Sequence, residues 1–365
     1  MAKTMHSWND FLTEQGADQS AGADTGIVGF GGTGALLAPG VDFMVPLTDA
    51  GLIAVRGDDA AGFLHNQLTN DVTHLEASHA RLAGYCTPKG RLLATVLLWK
   101  TGDDILLQAP REVLPGLQKR LQMYIMRAKA TLADVSDVWV QIGLVGPAAA
   151  TVLTTWFPEL PLTPYAKVDS GAGTLLRLAD TGSAVGMAGA GRARYLWILS
   201  AETAQAAWPQ LTRLLRPAGA NAWRLAEIGT AIASVTSATQ EKFVPQMVNF
   251  EAVGGVNFQK GCYPGQEIVA RSQYLGKLKR RMLPATVESA AVRPGMEVFS
   301  DLDPEQPCGM VVNAARIDAR MSACLVETKL SALEGEIRLG TVDGPPLQFY
   351  ALPYALDGAA EPGPG

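Results

Sequence analysis

Apolar and polar positions recur with different periods along the chain, and each period predicts an element. The run "GLIAVRG" is typical of a short strand, and the "DDAAGFLHNQLTNDV" after it has apolar residues at helical spacing behind Asp58 or Asp59 as N-cap. Three apolar segments follow, broken by turn residues at 88–90 and 101–104, which predicts an antiparallel meander. A helix starting near Pro115 then completes an α+β block.

A second block repeats this combination of elements. "VWVQIGLVG" predicts a strand, a helix opens on Pro147, "TLLRL" and "RYLWILS" predict further strands, and "AETAQAAWPQLTRLL" predicts a helix. Another helix is predicted from about Ala222. Beyond Arg281 the chain consists of short β-type segments separated by glycine and proline, which favours a small barrel or sandwich.

The two ends of the chain lack this periodicity. Residues 15–40 are rich in Gly, Ala, Asp and Ser, and the last residues read "LDGAAEPGPG". We therefore expect a flexible leader over residues 1–42 and a disordered tail over 356–365. Between them we predict two α+β domains across residues 43–285 and a C-terminal β domain across 286–355.

Composition agrees with a globular protein of two or three domains, because the 365 residues are 48% apolar and only 18% charged. The formal net charge of −5 argues against a nucleic-acid or membrane partner, since phosphate binding needs clustered Lys and Arg. The longest apolar run is far too short for a membrane helix, and "MAKTMHSWNDFLTEQ" lacks the apolar stretch of a secretory signal. We expect a cytoplasmic protein.

The four cysteines are widely spaced and form no CxxC pair, and the four histidines form no HExxH pattern. This spacing supports neither a disulfide framework nor a metal site, so we expect reduced thiols and no bound metal. The cysteines are Cys86, Cys262, Cys308 and Cys324.

One cysteine stands out by its neighbours. In "KGCYPGQEIVAR", Cys262 follows Lys260 by two residues, and six cations but one anion lie between Lys260 and Arg281. Cysteine thiols lose their proton more readily near cations, so this segment is a candidate reactive site. The residue types alone leave a second interpretation open, in which Cys262 is a buried structural residue beside the turn at Pro264 and Gly265.

The longer run "KFVPQMVNFEAVGGVNFQKGCYPGQEIVAR" resembles the signature of the YgfZ-type folate-binding family, relatives of the glycine-cleavage T protein, an aminomethyltransferase. The family's core "KGCYxGQE" is complete here. The segments "VRGDDAAGFLHNQLTNDV" and "YCTPKGRLLATVLLW" are similar to the family's first helix and hairpin, and the resemblance covers about residues 44–355.

The resemblance implies an α+β, aminomethyltransferase-like ring of three domains, in which two interlocked α+β domains and a C-terminal β-barrel surround a channel for tetrahydrofolate. Folate has a flat pterin and an anionic glutamate tail, so it needs apolar walls, hydrogen-bonding partners and cations. The catalytic candidates are Cys262 and Lys260. The candidate folate-binding residues are Phe243, Gln246, Asn249, Tyr263, Gln266, Glu267 and Arg271.

The resemblance also bears on the reaction. The aminomethyltransferase branch carries an Asp-Asp pair after its hairpin, whereas this chain has Ala94 and Thr95, so methylene transfer by that mechanism is not expected. The cysteine-containing branch implies a monomeric factor that binds tetrahydrofolate, assembles or repairs iron-sulfur clusters and thereby affects tRNA thiolation. Its partners would be iron-sulfur client or assembly proteins.

Two alternatives stay open at this point: a folate-dependent one-carbon transferase that uses another acid, and a folate-binding module with a structural cysteine. The helix before the signature also departs from the family pattern, with Gly229 and Ala233 where a charged residue and a proline are usual. Glu227, two residues before Gly229, is the carboxylate available to compensate.

Overall fold

The computed structural model describes residues 7–19, 26–31, 37–38, 40–182, 191–274 and 278–356. Within these ranges the α-helices are α1 (Trp8–Glu14), α2 (Ala60–His65), α3 (Leu114–Ile125), α4 (Pro147–Leu153), α5 (Ala201–Leu214), α6 (Ala220–Gly229) and α7 (Gln266–Tyr274). Short 3-10 helices span Pro245–Val248 and Leu330–Glu334.

The strands of the described ranges are β1 (Ala17–Gln19), β2 (Ile27–Phe30), β3 (Phe43–Pro46), β4 (Ala50–Arg56), β5 (Ala80–Cys86), β6 (Leu92–Thr101), β7 (Asp104–Pro110), β8 (Thr131–Asp134), β9 (Val140–Val145), β10 (Lys167–Ser170), β11 (Gly173–Thr181), β12 (Arg192–Leu199), β13 (Arg216–Pro217), β14 (Arg280–Val287), β15 (Glu297–Ser300), β16 (Gly309–Arg316), β17 (Ser322–Lys329), β18 (Ile337–Leu339) and β19 (Leu347–Phe349).

These strands form three large sheets and one small pair. The first sheet has the order β5-β6-β7-β4-β8, the second β10-β11-β12-β9-β3-β13 and the third β18-β15-β16-β17-β14-β19, while β1 pairs with β2. The meander predicted from turn residues is confirmed, since β5, β6 and β7 are consecutive antiparallel neighbours.

The chain begins the second sheet, builds the whole of the first sheet and then returns to the second. β3 pairs antiparallel with β9 in the second sheet, with Phe43 opposite Val145, although the five strands that separate them in sequence all belong to the first sheet. A common apolar core lies between the sheets, with Trp99 and Leu106 from one side and Leu196 from the other. The two α+β blocks are therefore interlocked, as the resemblance implied.

Helices cover the outer face of each of these sheets. Phe63 of α2 and Leu117 of α3 pack on the first sheet, and Ala149 of α4 and Leu211 of α5 pack on the second. The sequence determines where they begin: α4 opens on Pro147, and the side chain of Ser200 caps α5.

The prediction of a flexible leader over residues 1–42 is wrong for those of its residues that the structure describes. α1 and the β1–β2 pair pack against α5, the helix that covers the second sheet, and the ring centroids of Phe11 and Trp208 lie 5.8 Å apart with the planes nearly perpendicular. Trp8 and Phe30 pack against the same Trp208 ring. A few large apolar residues are enough to dock this segment in spite of its Gly-rich surroundings. Of the predicted tail, residues 357–365 lie outside the described residues.

The third sheet curves into an almost closed barrel. A β-bridge between Arg338 and Pro346 links its two edges near β18 and β19, and its interior holds an apolar cluster that includes Val298, Cys324 and Val326. Its first strand in the chain begins at Arg280, whereas the predicted domain began at residue 286.

The strand β14 begins with the last two cations of the positively charged segment between Lys260 and Arg281. Arg280 pairs with the buried Glu327, and Arg281 pairs with the buried Glu251. Both guanidinium groups are therefore committed to ion pairs, and the local excess of positive charge is smaller than the sequence suggests.

No helix in the described part of the chain is long and apolar enough to cross a membrane.

We predict that Arg281→Met lowers the free energy of unfolding at pH 7 by about 3–5 kcal/mol, because it leaves Glu251 buried without its cation. Burial already raises the pKa of Glu251, against the opposing hydrogen bond from Arg281. Without that bond the folded-state pKa rises further. The loss of stability is then complete above that pKa and shrinks as the pH falls towards the unfolded value of about 4.3.

Urea unfolding at several pH values measures this effect, and Arg281→Met combined with Glu251→Leu is the control, expected to recover most of the loss because no charge stays buried. A loss in the single variant that does not depend on pH would contradict the assignment to Glu251.

Candidate functional site

Residues 260–265, which carry Cys262 and which we call the signature loop, pack against the turn between β5 and β6 and lead into α7. Gly265 adopts a positive φ of 79°, and a β-carbon there would stand 2.4 Å from the carbonyl oxygen of Thr87. Only glycine allows this approach, so its place in the motif has a steric cause. The amide of Gln266 at the start of α7 donates to the carbonyl of Tyr263 at 3.1 Å.

Cys262 is exposed, which separates it from the other three cysteines of the chain. Cys86, Cys308 and Cys324 are 2%, 1% and 0% accessible. Burial raises the pKa of the Cys86 and Cys324 thiols to about 12 and also raises that of Cys308. Cys262 is thus the thiol that a reagent or partner reaches first.

Lys260 has an anchoring position. Its Nζ donates to the carbonyl oxygens of His65 and Leu68, the second at 2.9 Å, and lies 4.7 Å from the centre of the Tyr263 ring. Partial burial lowers the pKa of Lys260 to about 8, against the opposing effects of Asp71 and Cys262. The ammonium therefore fixes the loop to the end of α2 and acts on Cys262 through space.

Three of the predicted folate-binding residues point into the core. Phe243 is buried, Gln246 donates through Nε2 to the carbonyl of Val269 at 2.8 Å, and Asn249 donates through Nδ2 to the carbonyl of Met282 at 2.7 Å. These side chains are closed to solvent and hold α7 and β14 in place. Their direct contact with a ligand stays a prediction.

The remaining predicted residues lie on the same loop and helix, and all of them except Tyr263 reach the surface. Glu267 and Arg271 are exposed on α7, Gln266 is half-buried with Nε2 3.4 Å from the carbonyl of Lys260, and Tyr263 is buried beneath the loop. The sequence-predicted set is therefore divided between an inner group and an outer group.

A second group of functional side chains surrounds Glu227 on α6. Its Oε1 accepts from Trp223 Nε1 at 3.0 Å and lies 3.8 Å from the guanidinium of Arg194, whose Cζ is 4.3 Å from the centre of the Trp223 ring. Trp223 therefore holds both charged groups in a fixed arrangement.

This group combines a partly accessible carboxylate with a buried guanidinium. The Glu227 side chain is 40% accessible, yet burial raises its pKa, with Arg194 opposing. The carboxylate therefore keeps contact with solvent although protein surrounds much of it. Arg194 is buried, and its Nε has no hydrogen-bond partner among the described residues. We call this group the Glu227 recess.

One tyrosine lies near Arg194, and a second joins the end of α6 to the signature run. Burial raises the pKa of Tyr165 to about 12, with the charge of Arg194 opposing. Tyr354 donates to the carbonyl of Ala231, just after α6, at 2.7 Å, and its hydroxyl accepts from Asn249 at 3.3 Å. The inner face of the signature is thus bonded to the end of the helix that carries Glu227.

The sequence led us to consider Glu227, but it did not lead us to predict a role for Arg194 or Tyr165. The signal was present in "RARYLWIL", where an arginine interrupts an apolar strand, because such a charge needs a partner from elsewhere in the fold.

The position of the missing carboxylates is filled by packing. Ala94 is fully buried in β6, and the Thr95 hydroxyl accepts from the amide of Val235 at 3.0 Å. No acid stands there to protonate an amine. Within the described ranges, no three His, Cys, Asp or Glu side chains are grouped to hold a metal ion.

Comparison with known proteins gives three consistent matches. Residues 44–177 match the family model of the GCVT N-terminal domain. The tRNA-modifying protein YgfZ of Colwellia psychrerythraea (strain 34H) is 31% identical over 242 residues, 66% of this chain and 70% of that protein. The tRNA-modifying protein YgfZ of Cronobacter sakazakii is 27% identical over 326 residues, 87% of this chain and 94% of that protein.

Among solved structures, the glycine cleavage system aminomethyltransferase T from Bartonella henselae matches with a TM-score of 0.72 and 16% identity, covering 94% of this chain and 95% of that one. At 16% identity this match shows a common fold and carries no information about the reaction. It confirms the predicted α+β, aminomethyltransferase-like architecture.

We predict that iodoacetamide labels Cys262 of the native protein at least about tenfold faster than the other three cysteines, because their thiols are buried and protonated. Mass spectrometry of tryptic peptides measures the four rates, and unfolding in urea is the control, which should bring them close together. Equal native rates at Cys262 and Cys86 would show that Cys262 is a structural residue.

Proposed function

The chain belongs to the YgfZ family, and from this premise we propose that it binds tetrahydrofolate, or a one-carbon derivative, and supports the assembly or repair of iron-sulfur proteins, with an effect on tRNA thiolation. The observation that carries the proposal is the exposure of Cys262 in an otherwise tightly braced loop. A loop held by Lys260 and Gly265 that still presents its thiol to solvent is suited to a reactive role.

Cys262 is the reacting group in this proposal. It is the exposed one of the four cysteines, and it lies on the loop that leads into α7, close enough to the Lys260 ammonium for the two groups to interact through space. Cys262 would hold or transfer a sulfur or cluster species that an iron-sulfur client or assembly protein delivers.

The Glu227 recess fits a pterin. A carboxylate accepts two N–H bonds from an aminopyrimidinone edge, and Glu227 is an accessible carboxylate inside the protein. Trp223 is buried beneath the Arg194 guanidinium and holds it in place, and Arg194 has a donor that no described residue uses. Bound folate would supply a one-carbon carrier, and the outer cation Arg271 is a candidate for the glutamate tail.

Ala94 and Thr95 argue against the aminomethyltransferase reaction, because their places are taken by an apolar contact and a backbone hydrogen bond. A methylene transferase using another acid is the competing function. We further propose a monomeric, cytoplasmic factor whose macromolecular partners are proteins, in agreement with the net charge of −5.

We predict that Glu227→Gln weakens tetrahydrofolate binding by about tenfold or more, because a charge-assisted hydrogen bond to the pterin is lost. Isothermal titration of the wild type, Glu227→Gln and Cys262→Ala measures this, and Cys262→Ala should bind folate like the wild type. Glu267→Gln, the exposed carboxylate of the signature, is the comparison. A loss in Glu267→Gln without one in Glu227→Gln would place the ligand at the signature loop.

We predict that cells lacking the protein lose activity in a subset of iron-sulfur enzymes and part of their tRNA thiolation, and that Cys262→Ala does not restore either. Enzyme assays and mass spectrometry of tRNA nucleosides measure the two effects. Full rescue by Cys262→Ala would remove the thiol from the function. Steady turnover of a methylamine donor to methylene-tetrahydrofolate by the purified protein would favour the transferase instead.

A further inference from the structure

Cations from three separate elements lie beside the signature loop. Lys89 and Arg91 are in the turn between β5 and β6, Lys242 is in the loop before the first 3-10 helix, and Arg271 is on α7. All four residues are exposed. We call these four residues the cationic surface.

The elements that carry the cationic surface pack against one another. A β-carbon on Gly90 would stand 3.0 Å from Cβ of Ile268 on α7 and 3.2 Å from a carbonyl oxygen of the signature loop. The Arg91 guanidinium donates to the carbonyl oxygen of Lys242. The exposed faces of turn, loop and helix are therefore continuous, and the signature loop with Cys262 borders them.

Most of this positive charge is unpaired. Lys89, Lys242 and Arg271 form no ion pair with a residue that the structure describes. On the same elements, Glu241 lies 3.9 Å from the guanidinium of an arginine on α3, which leaves Glu267 as the exposed carboxylate without a partner of this kind among the described residues. This part of the surface is thus positive, although the formal net charge of the chain is −5.

A carboxylate also lies near the start of the signature loop, but it is shielded. Burial lowers the pKa of Lys260 to about 8 and the charge of Asp71 opposes this, so the two groups are close together. The Asp71 side chain is only 14% accessible, and His65 and His74 lie at 3.0 and 2.7 Å from its oxygens. Its charge therefore reaches the surface less than that of the exposed lysines does.

We propose that the cationic surface is the docking site for the acidic face of a protein that delivers a reactant to Cys262. Opposite charges steer two proteins together and determine their orientation, which brings the partner against the exposed thiol at the border of the surface. This inference rests on the proposed function in taking Cys262 as the reacting group and a protein as its partner.

Two neighbouring residues favour a protein over a nucleic acid. Ile268 is 40% accessible between the turn and the rest of α7, and an apolar residue among charged ones is typical of a protein interface. Glu267 is exposed beside it, and a carboxylate repels a phosphate backbone. A protein partner can place acidic side chains opposite the lysines and a basic one opposite Glu267.

The rates at which Cys262 reacts with two disulfide reagents test the proposal on the folded full-length protein. Dithiobis(nitrobenzoate) carries two carboxylates, whereas dithiodipyridine is neutral, and each forms a mixed disulfide with the thiolate. The ratio of the anionic to the neutral rate at one pH cancels the thiolate fraction and reports the local potential. In the wild type we expect this ratio to fall when the salt concentration rises from about 0.01 M to about 1 M.

Lys89→Glu combined with Lys242→Glu should lower the ratio by about tenfold at low salt and have little effect at high salt, because the reversed charges repel the anionic reagent. The matched control is Arg213→Glu with Arg320→Glu, which changes the net charge equally. Arg213 is exposed at the end of α5, and Arg320 follows β16 at the far end of β17 from its pairing with Arg281. The control should leave the ratio unchanged.

A ratio that does not depend on salt, or that falls equally in the control, would overturn the proposal, and so would an unchanged ratio in the variant of both lysines. If circular dichroism shows that this variant does not fold, Lys89→Gln with Lys242→Gln takes its place, with an expected fall of about threefold.

The class of partner is tested by protection of Cys262 from the neutral reagent. Poly-glutamate should slow the reaction of the wild type at low salt but not that of the variant with both lysines reversed. Protection by unfractionated tRNA without protection by poly-glutamate would assign the surface to a nucleic acid and overturn the choice of a protein partner.

This result is separable from that of the proposed function. Both lysines lie outside the candidate folate-binding set, so their variants should bind tetrahydrofolate like the wild type, and Arg271 stays unchanged because it is also a candidate for the glutamate tail. A Cys262→Ala copy that restores cells fully would refute the thiol role, whatever the rate ratio. Conversely, a failed rescue with a ratio that the lysines do not affect would leave that role intact and refute the docking site.

Discussion

The ammonium of Lys260 is the interaction on which the arrangement of the site depends. It binds two carbonyl oxygens near the end of α2, one of them 195 residues away in sequence, and it lies against the Tyr263 ring. A half-buried ammonium needs such partners, because an unpaired one would lose its hydration without compensation. The position of Cys262 relative to α2 follows from this contact and from the close approach of Gly265 to Thr87.

The two halves of the signature run, residues 242–271, have different structural roles, which the sequence alone does not reveal. Its first half turns inward, where Gln246 and Asn249 use their amides to satisfy the backbone of α7 and β14. Its second half turns outward, where Cys262 meets solvent. Buried amides are expensive to place without partners, so the inner half makes the framework rigid enough to hold an exposed loop in one conformation.

Much of the fold followed from local patterns. The meander, the helix at Pro147, α5 and the terminal barrel were predictable because turn residues, capping residues and apolar periods act over a few positions. The leader was misjudged because its docking depends on Trp208, a residue of a remote helix. The cationic segment was overestimated for the same reason, since Glu251 and Glu327 neutralise Arg281 and Arg280 only in the folded chain.

The candidate site also depends on contacts between distant parts of the chain, which local sequence patterns do not predict. The motif pointed to Cys262 and Lys260, but no local pattern joins Lys260 to His65, nor Glu227 to Arg194, because these pairs form through tertiary contacts.

The separation of thiol and recess has a chemical consequence under the proposed function. Glu227 is a partly accessible carboxylate beside the buried Arg194, whereas Cys262 stands on an exposed loop and is open to a macromolecule. In a transferase the acid and the one-carbon carrier must meet in one cavity, and here the acid's place is occupied by Thr95 bonded to Val235. A thiol that faces outward instead suits a reactant carried by another protein, so under the proposed function folate would accompany the thiol chemistry and would not be its direct substrate.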